Sequence, residues 1–237
     1  MSAERHRLPD HEFVDIPGGG FAMGGSVEPD HQPIHEVEIS PFRLTRCPIT
    51  NAQYAVFCDA AGHRLPAFWG EDRFRSGSSY PDHPVVGVSW NDAVAFCAWA
   101  GERLATEAEW EYAARGGLLG KAYPFGDDID PSRANYADAE IGGTTPVGSY
   151  GPNGPNGFGL YDMCGNVVEW VADRYDPGYY ARSLIVDPKG SDTGKHRVIR
   201  GGGWHSGPTC CRVDFRNALP ANWIDMAVGF RVAAIAG

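Results

Sequence analysis

GFGLYDMCGNVVEW, residues 157 to 170, is the stretch on which the reading of the whole chain turns. Asp162 and Glu169 supply carboxylates and Asn166 an amide, while Gly157, Gly159 and Gly165 let the backbone bend until carbonyls face inward. That donor set suits a hard cation such as Ca2+. Taken alone, the segment is more simply a glycine-rich turn that opens a core strand and ends in a buried Trp170. The rest of the chain shifts that balance.

The chain has 237 residues, enough to bury a sizeable core in one large or two small domains. Its 30 acidic and 20 basic residues give a formal charge of -10, the wrong sign for a phosphate-binding surface, so nucleic acid is not an expected partner. No apolar run approaches the roughly 20 residues of a membrane span, and the first residues, MSAERHRLPDHEF, lack the apolar core of a secretory signal. A cytoplasmic protein with no membrane partner is the expectation. The six cysteines show no CxxC spacing, which argues against a zinc site or a thioredoxin-like motif.

Gly 31, Pro 18, Trp 7 and Tyr 10 describe a chain that turns often and packs large aromatics between its turns. Three short helices are predicted. Residues 50–60 open with Thr50 and Gln53 at capping-box spacing and carry Tyr54, Phe57, Cys58 and Ala61 on one face. Residues 89–100 start at Ser89, align Trp90, Ala93, Val94 and Cys97, and stop at Gly101. Residues 106–115 pair Thr106 with Glu109, bury Trp110, Ala113 and Ala114, and end at Gly116. Strands are predicted at 13–16, 21–23, 35–39, 42–45, 167–172, 197–201 and 229–233. Residues 117–157 are mostly turn formers, a length of irregular chain that needs something to fix it, and bound cations would serve. Residues 1–12 read as an N-terminal extension and 13–237 as a single domain.

Taken together, the motifs resemble the sulfatase-modifying-factor family, the formylglycine-generating-enzyme-like proteins. They occur in order as FVDIPGGGFAMGG, HEVEISPFRLTRCPITNAQYAVF, HPVVGVSWNDAVAFCAWAGERLATEAEWEYAARGG, YPFGDD, TTPVGSYGPN, GFGLYDMCGNVVEW, RVIRGGGW and GFRVA. The resemblance implies an α+β domain with the C-type-lectin-like fold of the formylglycine-generating-enzyme subtype, with little regular secondary structure and structural Ca2+. It implies one calcium site at Asp162, Gly165, Val167 and Glu169, with side-chain oxygens from Asp162 and Glu169 and backbone carbonyls from Gly165 and Val167. A second is implied at Asn135 and Tyr136, with Asp138 and Glu140 both near the remaining carboxylate position.

The same resemblance implies an oxygen-dependent, metal-assisted oxidoreductase that acts on an amino-acid or peptide side chain, with Cu+ or Fe2+ as the redox ion. In the enzymes of the family two cysteines after the RGGS motif bind Cu(I), since two thiolates form the soft site that ion prefers. Here, counting from Arg200 without gaps, Ser206 stands at the first position and Cys211 at the second, so the pair is incomplete. Cys210 and His205 are the alternative partners for Cys211, although adjacent residues tend to diverge and a vicinal pair is awkward for one metal. His31 and His35 have metal-like spacing, but Pro33 between them and the strand-like HEVEI argue against a shared ion. The competing expectation is a non-catalytic module that binds a peptide, protein or small-molecule ligand, as in retroelement-diversified proteins of this fold. Its recognition face would be residues 205–226, with His205, Ser206, Thr209, Asp214, Asn222, Trp223, Ile224 and Met226 as contacts.

Overall fold

A computed structural model describes residues 12–236; residues 1–11 of the proposed extension lie outside them, as does Gly237. The chain begins with strands β1 (Phe13–Ile16), β2 (Gly19–Met23), β3 (His35–Ile39) and β4 (Phe42–Thr45). Helices α1 (Asn51–Ala61), α2 (Trp90–Ala100) and α3 (Glu107–Arg115) follow. After a long irregular stretch come β5 (Val168–Arg174), β6 (His196–Arg200), β7 (Arg216–Pro220), β8 (Val228–Phe230) and β9 (Ala233–Ile235). This is the α+β class expected, although the strand bounds differ in places.

Each helix is set by local chemistry. Thr50, Ser89 and Thr106 all cap with the side chain, each within a complete capping box, and each helix ends in a left-handed glycine, at Gly62, Gly101 and Gly116. Two face assignments need correction. Ala61 is exposed, and Val94 is 36% exposed, because α2 rolls so that Ala93, Phe96, Cys97 and Ala100 face the core. Phe96 carries that rotation, stacking on Tyr54 of α1 with ring centroids 5.7 Å apart.

The strands assemble into sheets of order β1-β4-β9, β2-β3 and β7-β6-β5-β8, in which β5 and β8 run parallel and the other neighbours antiparallel. The strand predicted at 229–233 is really two, β8 and β9, in different sheets. The break falls at Arg231, whose guanidinium turns inward to bond both oxygens of Glu169 at 2.7 Å. β7 was not predicted, since RNALP has no alternating pattern; it forms by adding to the edge of β6. β5 and β6 each shift by one residue or more from the predicted bounds.

The irregular stretch before β5 is fixed largely by side-chain amides. Asn156 donates to the carbonyls of Ala113 and Ala114 at the end of α3 and accepts from the amides of Phe158 and Leu160. Asn166 exchanges bonds with the backbone of Thr145 in both directions, and Asn135 donates to Gly143. Asn51 ties down another loop by donating to the carbonyls of Arg75 and Tyr80. Each amide replaces a backbone partner that irregular chain would otherwise lack.

Between α3 and the four-stranded sheet lies a buried ionic cluster. Arg200 bonds Glu111 at 2.6 Å and Glu107 at 3.1 Å, Arg216 bonds both oxygens of Glu107, and Arg115 bonds Glu111. His31, fully buried, accepts from the Arg216 amide, while His35 sits in β3. Asp173 accepts from the Glu107 amide at 2.8 Å, and its carboxyl is pushed up to about 8 by burial and then by the Glu107 charge.

That shift fixes a pH dependence. The folded protein keeps the Asp173 proton after the unfolded chain has lost it, so the associated stability is complete below about pH 4 and is lost as pH rises towards 8. Denaturant unfolding between pH 4 and 8 should therefore show a steeper loss of stability for wild type than for Asp173→Asn, by up to about 1.4 kcal/mol per pH unit. Parallel profiles would contradict this assignment.

Candidate functional site

The loop that follows β6 is held at both ends by one side chain. Arg200 Nη2 donates to Glu111 and also to the carbonyl of Val213, so residues 200 and 213 share a single anchor. Between them the chain makes a tight turn in which the Gly203 amide donates to Ser206 Oγ at 2.9 Å, and then a short 3-10 turn at Pro208–Cys211. The 157–170 segment lies against this loop. Gly165 donates to the Gly201 carbonyl at 2.9 Å and Trp204 donates to the Asn166 carbonyl at 3.0 Å. A side chain at Gly165 would meet the Asn135 carbonyl at 2.3 Å, which explains the need for glycine there.

Above the loop is a cavity of about 250 Å³. His205, Ser206 and Cys210 line it from the loop, Phe215, Asn217 and Leu219 from β7 and the chain before it, Asp225 from the following turn, and Val168, Ile199, Arg200, Gly202 and Val228 from below. A larger, mostly apolar cleft of about 620 Å³, bounded by Phe42, Trp90, Val94, Cys97, Leu104 and Ile235, shares none of these residues.

The two adjacent cysteines point to different places. Cys210 is half-buried in the cavity wall, and burial pushes its thiol up. Cys211 is fully buried in a cluster with Ala122, Tyr123, Ala134, Tyr136 and Cys164. Cys164 lies in the same buried cluster, and burial, then the neighbouring Cys211 thiol, raises it well above the ordinary thiol range. A mixed site of Cys211 with Cys210 and His205 is therefore not gathered in one place. Cys164 was read only as part of a turn; its spacing from Cys211 gave no signal.

Of the expected ligand contacts, His205 and Ser206 line the cavity. Thr209 and Asn222 are exposed on turns, Trp223 is 48% exposed, and Ile224 and Met226 are half-buried beside it. Asp214 requires correction: it is buried and bound to Arg212 at 2.8 and 2.9 Å, so its oxygens are committed. Asn217 and Asp225, which do face the cavity, were missed because each reaches it only through β7 and the turn after it.

The expected calcium ligands fall into two groups. Glu169 is fully buried and accepts from Arg231 twice and from Trp110 Nε1 at 2.8 Å, so as a ligand it would have to share its oxygens. Asp162, in a left-handed conformation, accepts from the Gly148 amide, and burial pushes its carboxyl up to about 6. Gly165 and Val167 lie beside them on the buried turn. At the second place, Asn135 Oδ1 is buried without a hydrogen-bond partner, while the Tyr136 carbonyl accepts from Ala139. Asp138 and Glu140 are exposed. Among the described residues no three His, Cys, Asp or Glu side chains converge as a metal-binding group, and no helix is long and apolar enough to cross a membrane.

An α+β fold with sparse regular structure, a loop clamped beneath a small cavity and two buried thiols define the class. The chain belongs to the family of sulfatase-modifying factor enzyme 1-like domains, whose model matches residues 1–236. It is 36% identical to a formylglycine-generating enzyme of Streptomyces coelicolor over 93% of this chain and 88% of that protein. PvdO from Pseudomonas aeruginosa superposes with a TM-score of 0.82 at 31% identity, covering 95% of both chains. Variable protein 1 of Treponema denticola has the same TM-score at 24% identity, covering 98% of both, a likeness of fold alone.

The Arg200 clamp can be tested directly. Arg200→Met leaves Glu111 and Glu107 short of a buried partner and frees the Val213 end of the loop, so the variant should lose about 3–5 kcal/mol in urea unfolding. A loss under about 1 kcal/mol would show that the cluster is held without it.

Proposed function

We propose that this chain is an oxygen-dependent, metal-assisted oxidase of an amino-acid or peptide side chain, with its reacting centre at the cavity behind Arg200. One observation carries the reading. Gly202 lines the cavity, and a Cβ built on it would lie 2.7 Å from Cys211 Sγ, so the sulfur sits just beneath the cavity floor. Membership of the family and the 36% identity to a formylglycine-generating enzyme supply the reaction class. Ser206 stands where the family resemblance places the first cysteine, and its hydroxyl is engaged by the Gly203 amide, so it does not replace that thiol.

The cavity has room for one side chain rather than a whole ligand of drug size. Phe215, Leu219, Val168 and Val228 would shield that side chain from water, while Asn217, Asp225 and His205 offer polar contacts to the peptide around it. A redox metal bound to thiolate would supply oxygen activation. Sulfur donors favour Cu+ over Fe2+, which takes imidazole and carboxylate ligands more readily.

Copper-loaded protein should consume oxygen with peptides that carry cysteine or an aromatic side chain, and Cys211→Ser should abolish the uptake. Peptide binding without oxygen uptake, weakened by Trp223→Ala, would instead establish a non-catalytic binding module.

Ca2+ is proposed as a structural ion, best supported at Asn135. A buried carbonyl oxygen without a partner costs about 1–3 kcal/mol, and a cation would remove that cost. At a free Ca2+ concentration 100 times the dissociation constant the folded state gains about 2.7 kcal/mol, or roughly 5–10 °C in melting temperature for a chain of this size. EGTA should reverse the gain, and Asn135→Ala should remove it. A midpoint indifferent to both would eliminate the ion.

A further inference from the structure

We infer that Cys164 and Cys211 together form a two-thiolate site for a soft monovalent metal ion, Cu+. The inference deepens the proposed function and depends on it for catalytic meaning, while the binding itself is separable. Two segments distant in sequence are brought side by side: the turn before β5, which holds Cys164, and the loop after β6, which ends in Cys211. The Gly165–Gly201 and Trp204–Asn166 hydrogen bonds fix that arrangement. The two thiols belong to the same buried cluster and are 2% and 0% exposed.

Their surroundings select the ion. Ala122, Ala134, Tyr123 and Tyr136 enclose the pair, and among the described residues no third His, Cys, Asp or Glu side chain completes a cluster. Zn2+ normally takes four ligands in a structural site, so two sulfurs in an apolar wall do not suit it. Cu+ accepts few, soft ligands. Cys210 and His205 line the cavity instead, above the floor that Gly202 forms. Cu+ would thus reach Cys211 by way of the cavity and sit between the cavity and the core.

The binding step balances simply. Two neutral thiols lose two protons to solvent and both sulfurs bond the ion, giving a dithiolate complex of net charge -1 with no change in oxidation state. Affinity must therefore rise with pH.

The test is an anaerobic titration of the full chain with Cu+ against a bicinchoninate competitor. One Cu+ per chain is expected, with X-ray absorption showing two sulfur neighbours. Cys164→Ser and Cys211→Ser should each weaken binding by more than the roughly 100-fold typical of losing an outer-shell partner, whereas Cys210→Ser and His205→Ala should leave it unchanged. Cys164→Ala, with its fold checked by circular dichroism, separates a lost ligand from a misfolded chain. Unaltered affinity in a folded Cys164 variant, or loss in Cys210→Ser, overturns the site. Copper bound through Cys164 without oxygen uptake would leave the site standing and remove the oxidase; oxygen uptake that survives Cys164→Ser would do the reverse.

Discussion

The buried bonds of Arg200 are the constraint on which the rest of the architecture depends. A guanidinium with no exposure to water depends on its paired donors; in Arg200 both Nη groups are paired, while Nε has no hydrogen-bond partner. Here the partners come from two turns of α3 and from the far end of the loop after β6, so satisfying one charge fixes a helix, a strand and a loop together. Arg216 repeats the device one strand over, with its ring of contacts to Glu107 and the face of Tyr180. Such a cluster adds little net stability over a well-packed apolar one. What it adds is direction, since each bidentate pair holds only in one geometry.

A second pairing does the same for the opening segment. Glu169 on β5 binds Arg231, and Trp110 of α3 donates to the same carboxylate. Arg231 in turn donates to carbonyls of Thr45 and Tyr161, joining the β1-β4-β9 sheet to the turn that carries Asp162. The 157–170 segment is therefore braced from inside by a protein cation, and from outside by the Asn135 and Asn166 amides. Asp162 and Glu169 compete for that one guanidinium; Glu169 takes both bonds, and Asp162 is left with burial dominating its protonation. The electrostatic arrangement around the two carboxylates is thus largely settled by protein groups.

What was legible in the sequence follows from how far each interaction reaches. Thr50, Ser89, Thr106 and their terminal glycines act within one or two turns of chain, so the three helices and their caps could be read directly. The face of α2 could not, because Phe96 turns inward to meet Tyr54, a tertiary contact invisible to periodicity in so short a helix. β7 exists by virtue of β6, and the split between β8 and β9 by virtue of Glu169; neither cause is local. At the site, Cys211, Cys210 and His205 could be named from their order after Arg200, but the direction of each could not. The engagement of Asp214 is not legible, because its partner Arg212 is brought to it by a turn that the Phe215 amide closes on the Arg212 carbonyl.

The vicinal cysteines show why direction matters more than proximity in sequence. Cys210 and Cys211 end a short 3-10 turn, and successive side chains on such a turn diverge, one into the cavity wall and the other into the core. A thiol sent into the core is normally inert, since burial opposes its ionisation. What sets Cys211 apart from an ordinary core thiol is its closeness to Gly202. At a φ of +65°, with the Cys211 sulfur 2.7 Å from where a Cβ would be, this position excludes any side chain on both conformational and steric grounds. The absence of that side chain leaves a floor only a backbone thick between solvent and sulfur. The glycines of RGGGW are thus more than a turn: they set how closely a buried sulfur can approach whatever occupies the cavity, and the chemistry proposed for Cys211 would depend on that thinness as much as on the thiol itself.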